Sequence, residues 1–324
     1  FYFAVGTSIS APHYLWKSDG TASGTVQVKD ANNANVEVGS STCGIIGDTQ
    51  YFTSHNTGQL WKTNGTPSGT KMVIDMPSLS SGNGGLHYSF LPLNNKLYFA
   101  ASDGVHGYEL WALDPADITG LGGGSSSGSG TSVTTTYGNG TTWQVADIRS
   151  GTGYSQPGVY MSILAGDTLY FDATDGISGR ELWAHNTSNS STWQVADIHS
   201  GSTGSDPGFY MEMLIGDTIY FSADDGYGIG NTELWAHDTS NASTWQVADI
   251  GSTDGNPGGY MSILAGDTLY FSAQYGSDDE LWAHDTSNAS TWQVADIYSG
   301  STGSEPGSYM EMLVGDTLYF SAQD

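Results

Sequence analysis

Tyr160 to Asp197 reads YMSILAGDTLYFDATDGISGRELWAHNTSNSSTWQVAD, and this stretch decides the fold. It holds four short runs, YMSIL, TLYFDA, ELWAH and TWQVAD, rich in β-branched and aromatic residues and bounded by Gly, Asp, Asn and Ser. Runs of this kind are half-buried strands separated by turns. Ala-Gly-Asp around Asp167 joins the first two runs as a tight hairpin, and Asn-Thr-Ser-Asn-Ser-Ser joins the last two. A longer loop, HSGSTGSDPG, follows the fourth run and is the natural crossing to the next unit. One unit is therefore a four-stranded meander.

The unit repeats. A hydrophobic-Tyr-Phe triplet starts at Phe1, Gln50 (a departure at its first position), Leu97, Leu169, Ile219, Leu269 and Leu318, with spacings of 49, 47, 72, 50, 50 and 49 residues. Leu-Trp recurs at Trp16, Trp61, Trp111, Trp183, Trp235 and Trp282, and the fourth run ends at Asp30, Asp75, Asp147, Asp197, Asp249 and Asp296. The long spacing reflects one insertion, 115–138, whose GLGGGSSSGSGTSVTTT has the composition of a flexible linker. Residues 1–324 read as a single repeat domain.

In TLYFSA, Leu269, Phe271 and Ala273 point one way and Tyr270 the other, so both strand faces carry large apolar groups. Sheets sandwiched between neighbours need this; a sheet with one wet face does not. A four-stranded sheet every fifty or so residues predicts an all-β protein, a β-propeller. A string of independent small sandwiches is the competing arrangement. The first copy starts at its second strand, five copies are complete and the last supplies two strands. A ring of seven blades fits best; a ring of six leaves one strand over. Opening strands alternate, YMSIL at Tyr160 and Tyr260 against YMEML at Tyr210 and Tyr309, which points to copying of a two-blade module.

The early copies read LWKSDGTASGT (Leu15 to Thr25), LWKTNGTPSGT (Leu60 to Thr70) and LYFAASDGVHGYELWALD (Leu97 to Asp114). Together these resemble the ELWxxDGTxxGT repeat of large, hyalin-like bacterial and archaeal surface proteins. The resemblance implies secretion, a cell-surface location and propeller-like folding. Later copies depart from it, with ELWAHDTSNAS replacing the DGTxxGT turn.

Charge narrows the partners. The chain has 34 acidic against 7 basic residues, a net charge of −27, and no Lys or Arg between Glu181 and Asp324. Such a surface repels nucleic acid and anionic membrane, and it repels itself, so the fold should favour salt or divalent cations. No apolar run reaches the roughly 18 residues that span a bilayer. The single cysteine, Cys43, sits in an apolar run and reads as a small buried hydrophobe.

Six Asn-x-Ser/Thr sequons are glycosylation candidates: Asn64, Asn139, Asn186, Asn189, Asn241 and Asn288. Four of them (Asn139, Asn189, Asn241 and Asn288) lie four residues before the Trp of the fourth strand, on a hairpin tip. Asp147, Asp197, Asp249 and Asp296 could coordinate Ca²⁺, since hard cations take oxygen ligands, but accepting backbone N–H groups from the following Ser-Gly loop is the expected role. Acidic loops at Asp224-Asp225 and Asp278-Asp279-Glu280 are weaker cation candidates. No other cofactor is implied. His185, His237 and His284 share one repeat position on different units and should not converge on a metal. The Trp residues offer sugar-stacking faces, with core packing the expected use. A formal G-x-S-x-G match at Gly124 to Gly128 lacks the strand–turn–helix context a nucleophile needs.

With equal residues in every copy and no singular catalytic set, the sequence predicts a non-enzymatic, extracellular structural or adhesive surface protein. Its partners would be copies of itself, in a homo-oligomer or filament, or other surface proteins and glycans. A multivalent, lectin-like propeller is the alternative.

Overall fold

A computed structural model describes residues 1–6, 13–39, 44–54, 59–75, 91–115, 134–135, 141–226, 231–251, 255–276, 278–300 and 303–324. Cys43, Asn139 and the Gly124–Gly128 match lie outside these residues. The described chain is all-β, built from repeated antiparallel sheets, and none of its residues form a helix long and apolar enough to cross a membrane. It divides into two compact units, Phe1–Val159 and Tyr160–Asp324.

The second unit holds the clearest copies. Sheet 4 pairs Ser162–Ala165, Thr168–Thr174, Arg180–Asn186 and Ser191–Ala196 in sequence order. Sheet 5 (Glu212–Ile215 to Ser243–Ala248) and sheet 6 (Ser262–Ala265 to Ser290–Ala295) repeat this meander, and sheet 7 has two strands, Glu311–Val314 and Thr317–Phe320. The first hairpin turns on Gly166 and Asp167, with Gly166 at φ 59°, a value type II′ turns reserve for glycine at that position. Each Leu-Trp pair meets a bulge in the fourth strand, so Leu182 faces Ala196 while Trp183 faces Gln194.

The first unit follows the plan less regularly. Sheet 2 is a four-stranded meander from Gly44–Ile46 to Lys71–Asp75. In sheet 1 the second strand, His13–Lys17, pairs Tyr2–Val5 on one side and both Val26–Gln27 and Glu37–Val38 on the other. Sheet 3 runs through Leu91–Leu93, Lys96–Ala101, Glu109–Asp114 and Thr141–Ala146, and gains a fifth strand because Thr134–Thr135, inside the segment expected to be a plain linker, pairs with Thr142 and Trp143.

The apolar core lies between consecutive sheets. Tyr220, Leu234 and Ala236 of sheet 5 share one buried cluster with Leu269, Phe271 and Ala273 of sheet 6. Tyr170, Leu182 and Ala184 of sheet 4 do the same with Ile219, Phe221 and Ala223 of sheet 5. In the first unit, Tyr51, Leu60 and Ile74 of sheet 2 meet Leu97, Phe99 and Trp111 of sheet 3. Burying each Leu, Ile or Phe among them contributes on the order of 1.5–3 kcal/mol, and each Ala less. The two-faced strand pattern is thus met by sheets packed face to face, a propeller-like arrangement.

Candidate functional site

The ELW glutamates are buried and tie each sheet to the loop that leaves it. The Glu181 carboxylate accepts the backbone N–H of Ile198 at 2.8 Å, the N–H of Ser205 at 3.0 Å and the Ser205 hydroxyl at 2.7 Å. Glu280 accepts the Ile297 N–H at 2.8 Å and the Ser304 hydroxyl at 2.7 Å, and Glu109 accepts the Ile148 N–H and the Ser155 hydroxyl. Burial pushes the carboxyls of Glu109 and Glu181 up to about 7, against the pull of these donors. This corrects the role expected for Asp147, Asp197, Asp249 and Asp296, although Asp30 beside sheet 1 does accept the backbone N–H groups of Asn32 and Ala34. Asp147, Asp197, Asp249 and Asp296 are exposed. The carboxylate that holds the loop is the glutamate, because it enters from the buried third strand while the aspartates lie just past the end of the fourth.

The structure does not gather the cation candidates into one site. Asp147, Asp197, Asp249 and Asp296 each directly follow the fourth strand of a different sheet. Asp224 accepts the Gly226 N–H at 2.7 Å, and Asp225 accepts the Asn231 side-chain N–H at 3.0 Å. Among the described residues, Asp296 alone of these joins a group: one carboxylate oxygen from each of Asp278, Glu280 and Asp296 lies within 4.8 Å of the others. Oxygen ligands at that spacing suit a hard cation, although Glu280 already holds its own loop.

Of the described sequon asparagines, Asn189, Asn241 and Asn288 sit on turns, Asn64 on a bend, and Asn186 ends a strand. Asn64, Asn189, Asn241 and Asn288 are exposed, and Asn186 is half-buried. His185, His237 and His284 are core residues, with Nδ1 at 2.8–2.9 Å from the hydroxyls of Thr192, Thr244 and Thr291. Their rings fill space between sheets: His237 lies 5.1 Å from the Tyr170 ring and His284 5.4 Å from the Tyr220 ring. Burial holds the pKa of His237 and His284 down. Among the Trp residues, Trp111 is fully buried, while Trp193, Trp245 and Trp292 on the fourth strands are 39–40% exposed.

One polar cluster is peculiar to sheet 4, and the sequence reading missed it. Sheets 5, 6 and 7 place a serine (Ser222, Ser272 and Ser321) where its hydroxyl accepts the two backbone N–H groups preceding the first strand. Sheet 4 has Asp172 there, accepting from Tyr160 and Met161 at 2.8 and 2.9 Å. A buried carboxylate needs a cation, and Arg180, at the start of the third strand, supplies it at 2.5 Å. Burial pushes the Asp172 carboxyl up while the guanidinium and both amides pull it back. Arg180 also lies 3.6 Å from Asp206 and 5.4 Å from the Tyr160 ring centroid. Tyr160 packs edge-on against Phe209, and Phe209 against Tyr210, each at 4.8 Å between centroids. Phe209 is 50% exposed. Glu212 reaches back to the Ser162 N–H at 2.8 Å, and burial raises its carboxyl to about 7. The result is an aromatic surface edged by carboxylates, with no nucleophile–base pair in it. The signal for it was available: Arg180 is the last basic residue, and Asp172 breaks a serine pattern.

No protein-family model matches the sequence, and neither does any curated protein. Solved structures do match, at low identity. A structure from a study of two prolyl endopeptidases has a TM-score of 0.51 at 12% identity, covering 99% of this chain and 44% of that one. Puromycin hydrolase gives 0.44 at 12% identity, over 91% of this chain and 45% of that one. TolB from Acinetobacter baumannii gives 0.37 at 12% identity, over 73% and 48%. The chain spans less than half the length of each. The prolyl endopeptidase match supports the propeller-like fold.

These neighbours correct the functional expectation. The match of TM-score above 0.5 is to a structure from a study of prolyl endopeptidases rather than to a structural or adhesive surface protein, so neither that reading nor its lectin-like alternative is carried forward. The physical reason is that near-identical repeats report what sheet-on-sheet packing demands. Role is written in the residues that differ.

Proposed function

We propose that the chain is a non-catalytic, propeller-like module of peptidase type, with its sheets as blades, which receives peptide at the aromatic patch beside Arg180. The observation that carries this reading is the match of 99% of the chain to under half of a prolyl endopeptidase structure. Phe209 and Tyr210 offer exposed ring faces on which proline and other apolar side chains pack. Asp206, half-exposed next to them, favours a basic peptide, as does a second unit whose only Lys or Arg is Arg180.

Fluorescence anisotropy with labelled proline-containing peptides tests it. Basic peptides should bind better than acidic ones, binding should weaken with salt, and Phe209→Ala should weaken it several-fold without unfolding the chain. Equal binding of acidic and basic peptides, or none, overturns the receptor role. Hydrolysis of the peptides by the purified chain overturns its non-catalytic character.

A further inference from the structure

Three sequons occupy the same turn between third and fourth strands, and their side chains are held differently. In each the asparagine amide oxygen accepts from the serine two residues on. Asn189 Oδ1 takes the Ser191 N–H at 2.9 Å and its hydroxyl at 2.6 Å, Asn241 takes both from Ser243, and Asn288 takes the Ser290 N–H at 3.0 Å. The residue between, Ser190, Ala242 or Ala289, lies in the left-handed region at φ 57–60°. Donors on the amide oxygen draw electron density toward it and make the Nδ2 protons more acidic.

The nitrogen differs. Asn241 Nδ2 donates to Asp238 Oδ2 and Asn288 Nδ2 to Asp285 Oδ2, each at 2.7 Å. Sheet 4 has Asn186 at that position instead of an aspartate, and the Asn186 nitrogen donates inward to the Thr168 hydroxyl at 3.2 Å. Among the described residues, Asn189 Nδ2 has no acceptor, and the side chain is exposed.

We propose that, among the described sequons of this turn, Asn189 is the preferred N-glycan acceptor in the folded state, with Asn241 and Asn288 handicapped by their aspartate contacts and Asn186 excluded. The donor class is an oligosaccharide on a lipid pyrophosphate. The Asn189 nitrogen forms a bond to the sugar C1, the bond from C1 to the pyrophosphate oxygen breaks, lipid pyrophosphate leaves, and the nitrogen loses one proton to the transferase's base. An acceptor amide must shed its existing hydrogen bond to enter that reaction, and a bond to a carboxylate is among the stronger ones. Asn64 lies in a different turn, with Pro67 directly after Thr66, and stands outside the proposal.

The test incubates the folded chain with a single-subunit oligosaccharyltransferase and its lipid-pyrophosphate oligosaccharide, and reads occupancy at each site by glycopeptide mass spectrometry. Asn189 should be occupied several-fold more than Asn241 and Asn288, with Asn186 empty. Asp238→Ala should lift Asn241 toward the Asn189 level and leave Asn288 unchanged. Unfolding the chain first should level the three. Equal occupancy of the three in the folded chain, modification at Asn186, no gain at Asn241 in Asp238→Ala, or no modification of the folded chain when the unfolded chain accepts sugar would each overturn the assignment.

Discussion

At the scale of the residue, the buried glutamate is the clearest case of one side chain setting local structure. Glu181→Gln keeps the shape but turns two acceptor oxygens into one acceptor and one donor, which then faces a backbone N–H or the Ser205 hydroxyl. The expected loss is about 1.5–3 kcal/mol by denaturant unfolding. Sheet 5 supplies the converse. Where the other copies have Ser155, Ser205 and Ser304, it has Gly255, and a Cβ added there would lie 2.6 Å from Glu233 Oε2. Gly255→Ser should return a hydroxyl to that glutamate and gain roughly 0.5–1.5 kcal/mol if the Glu233 carboxylate shifts away from the new Cβ; a loss would mean that the buried carboxylate cannot move. Titration follows from the same burial. Burial raises Glu109, Glu181 and Glu212 to about 7 in the fold against 4.5 for a free carboxyl, so between those values the folded state binds more protons than the unfolded one. Their stabilisation is full below 4.5 and is lost as pH rises through about 7. The depressed carboxyls of Asp103 and Asp175 act below 3.8, outside that window. His237 and His284, held below 6.5, act in the opposite sense as pH falls through that value, but the three carboxyls outnumber them, so calorimetry should find a lower Tm at about pH 7.5 than at about pH 5. The reverse order would show that the hydrogen-bond donors outweigh burial.

At the scale of the element, each meander was legible because its signals are local: period-two alternation, glycine at the hairpin, and Ser-Asn turns. The bulge beside each Trp was not, since it depends on how the fourth strand meets the third. Nor was the Asp172–Arg180 pair, eight residues apart along the chain and joined only by the hairpin that sets Asp172 opposite Leu182. The repeats predict how this pair behaves. Arg180→Thr alone leaves a buried carboxylate without its cation and should cost about 3–5 kcal/mol. The double change Asp172→Ser with Arg180→Thr recreates the solution of sheet 5, Ser222 with Thr232, and should recover most of that loss. Additive losses in such a cycle would mean that the two residues do not act as a unit. The glutamate clamp was half legible: ELW recurs plainly, but its serine partner lies in a loop read only as a crossing.

At the scale of the whole molecule, the sequence displayed the repeat and the charge, and the structure shows sheets packed face to face within each unit. With a net charge of −27, self-repulsion opposes compactness. Raising NaCl from about 20 mM to about 500 mM should raise Tm, because the screening length falls severalfold over that range; an unchanged Tm would mean that the acidic groups already lie too far apart to repel. The function was less legible, because repetition dominates the sequence while the sheet-specific residues are few. The account's central claim is that consecutive sheets stabilise one another through their shared apolar faces. A double-mutant cycle on Tyr220→Ala and Phe271→Ala, which belong to sheets 5 and 6 and one buried cluster, tests it most directly. The account predicts a coupling energy of roughly 0.5–3 kcal/mol in the unfolding free energies. Losses that simply add, to within about 0.3–0.5 kcal/mol, would mean the sheets stand as separate beads and would contradict it.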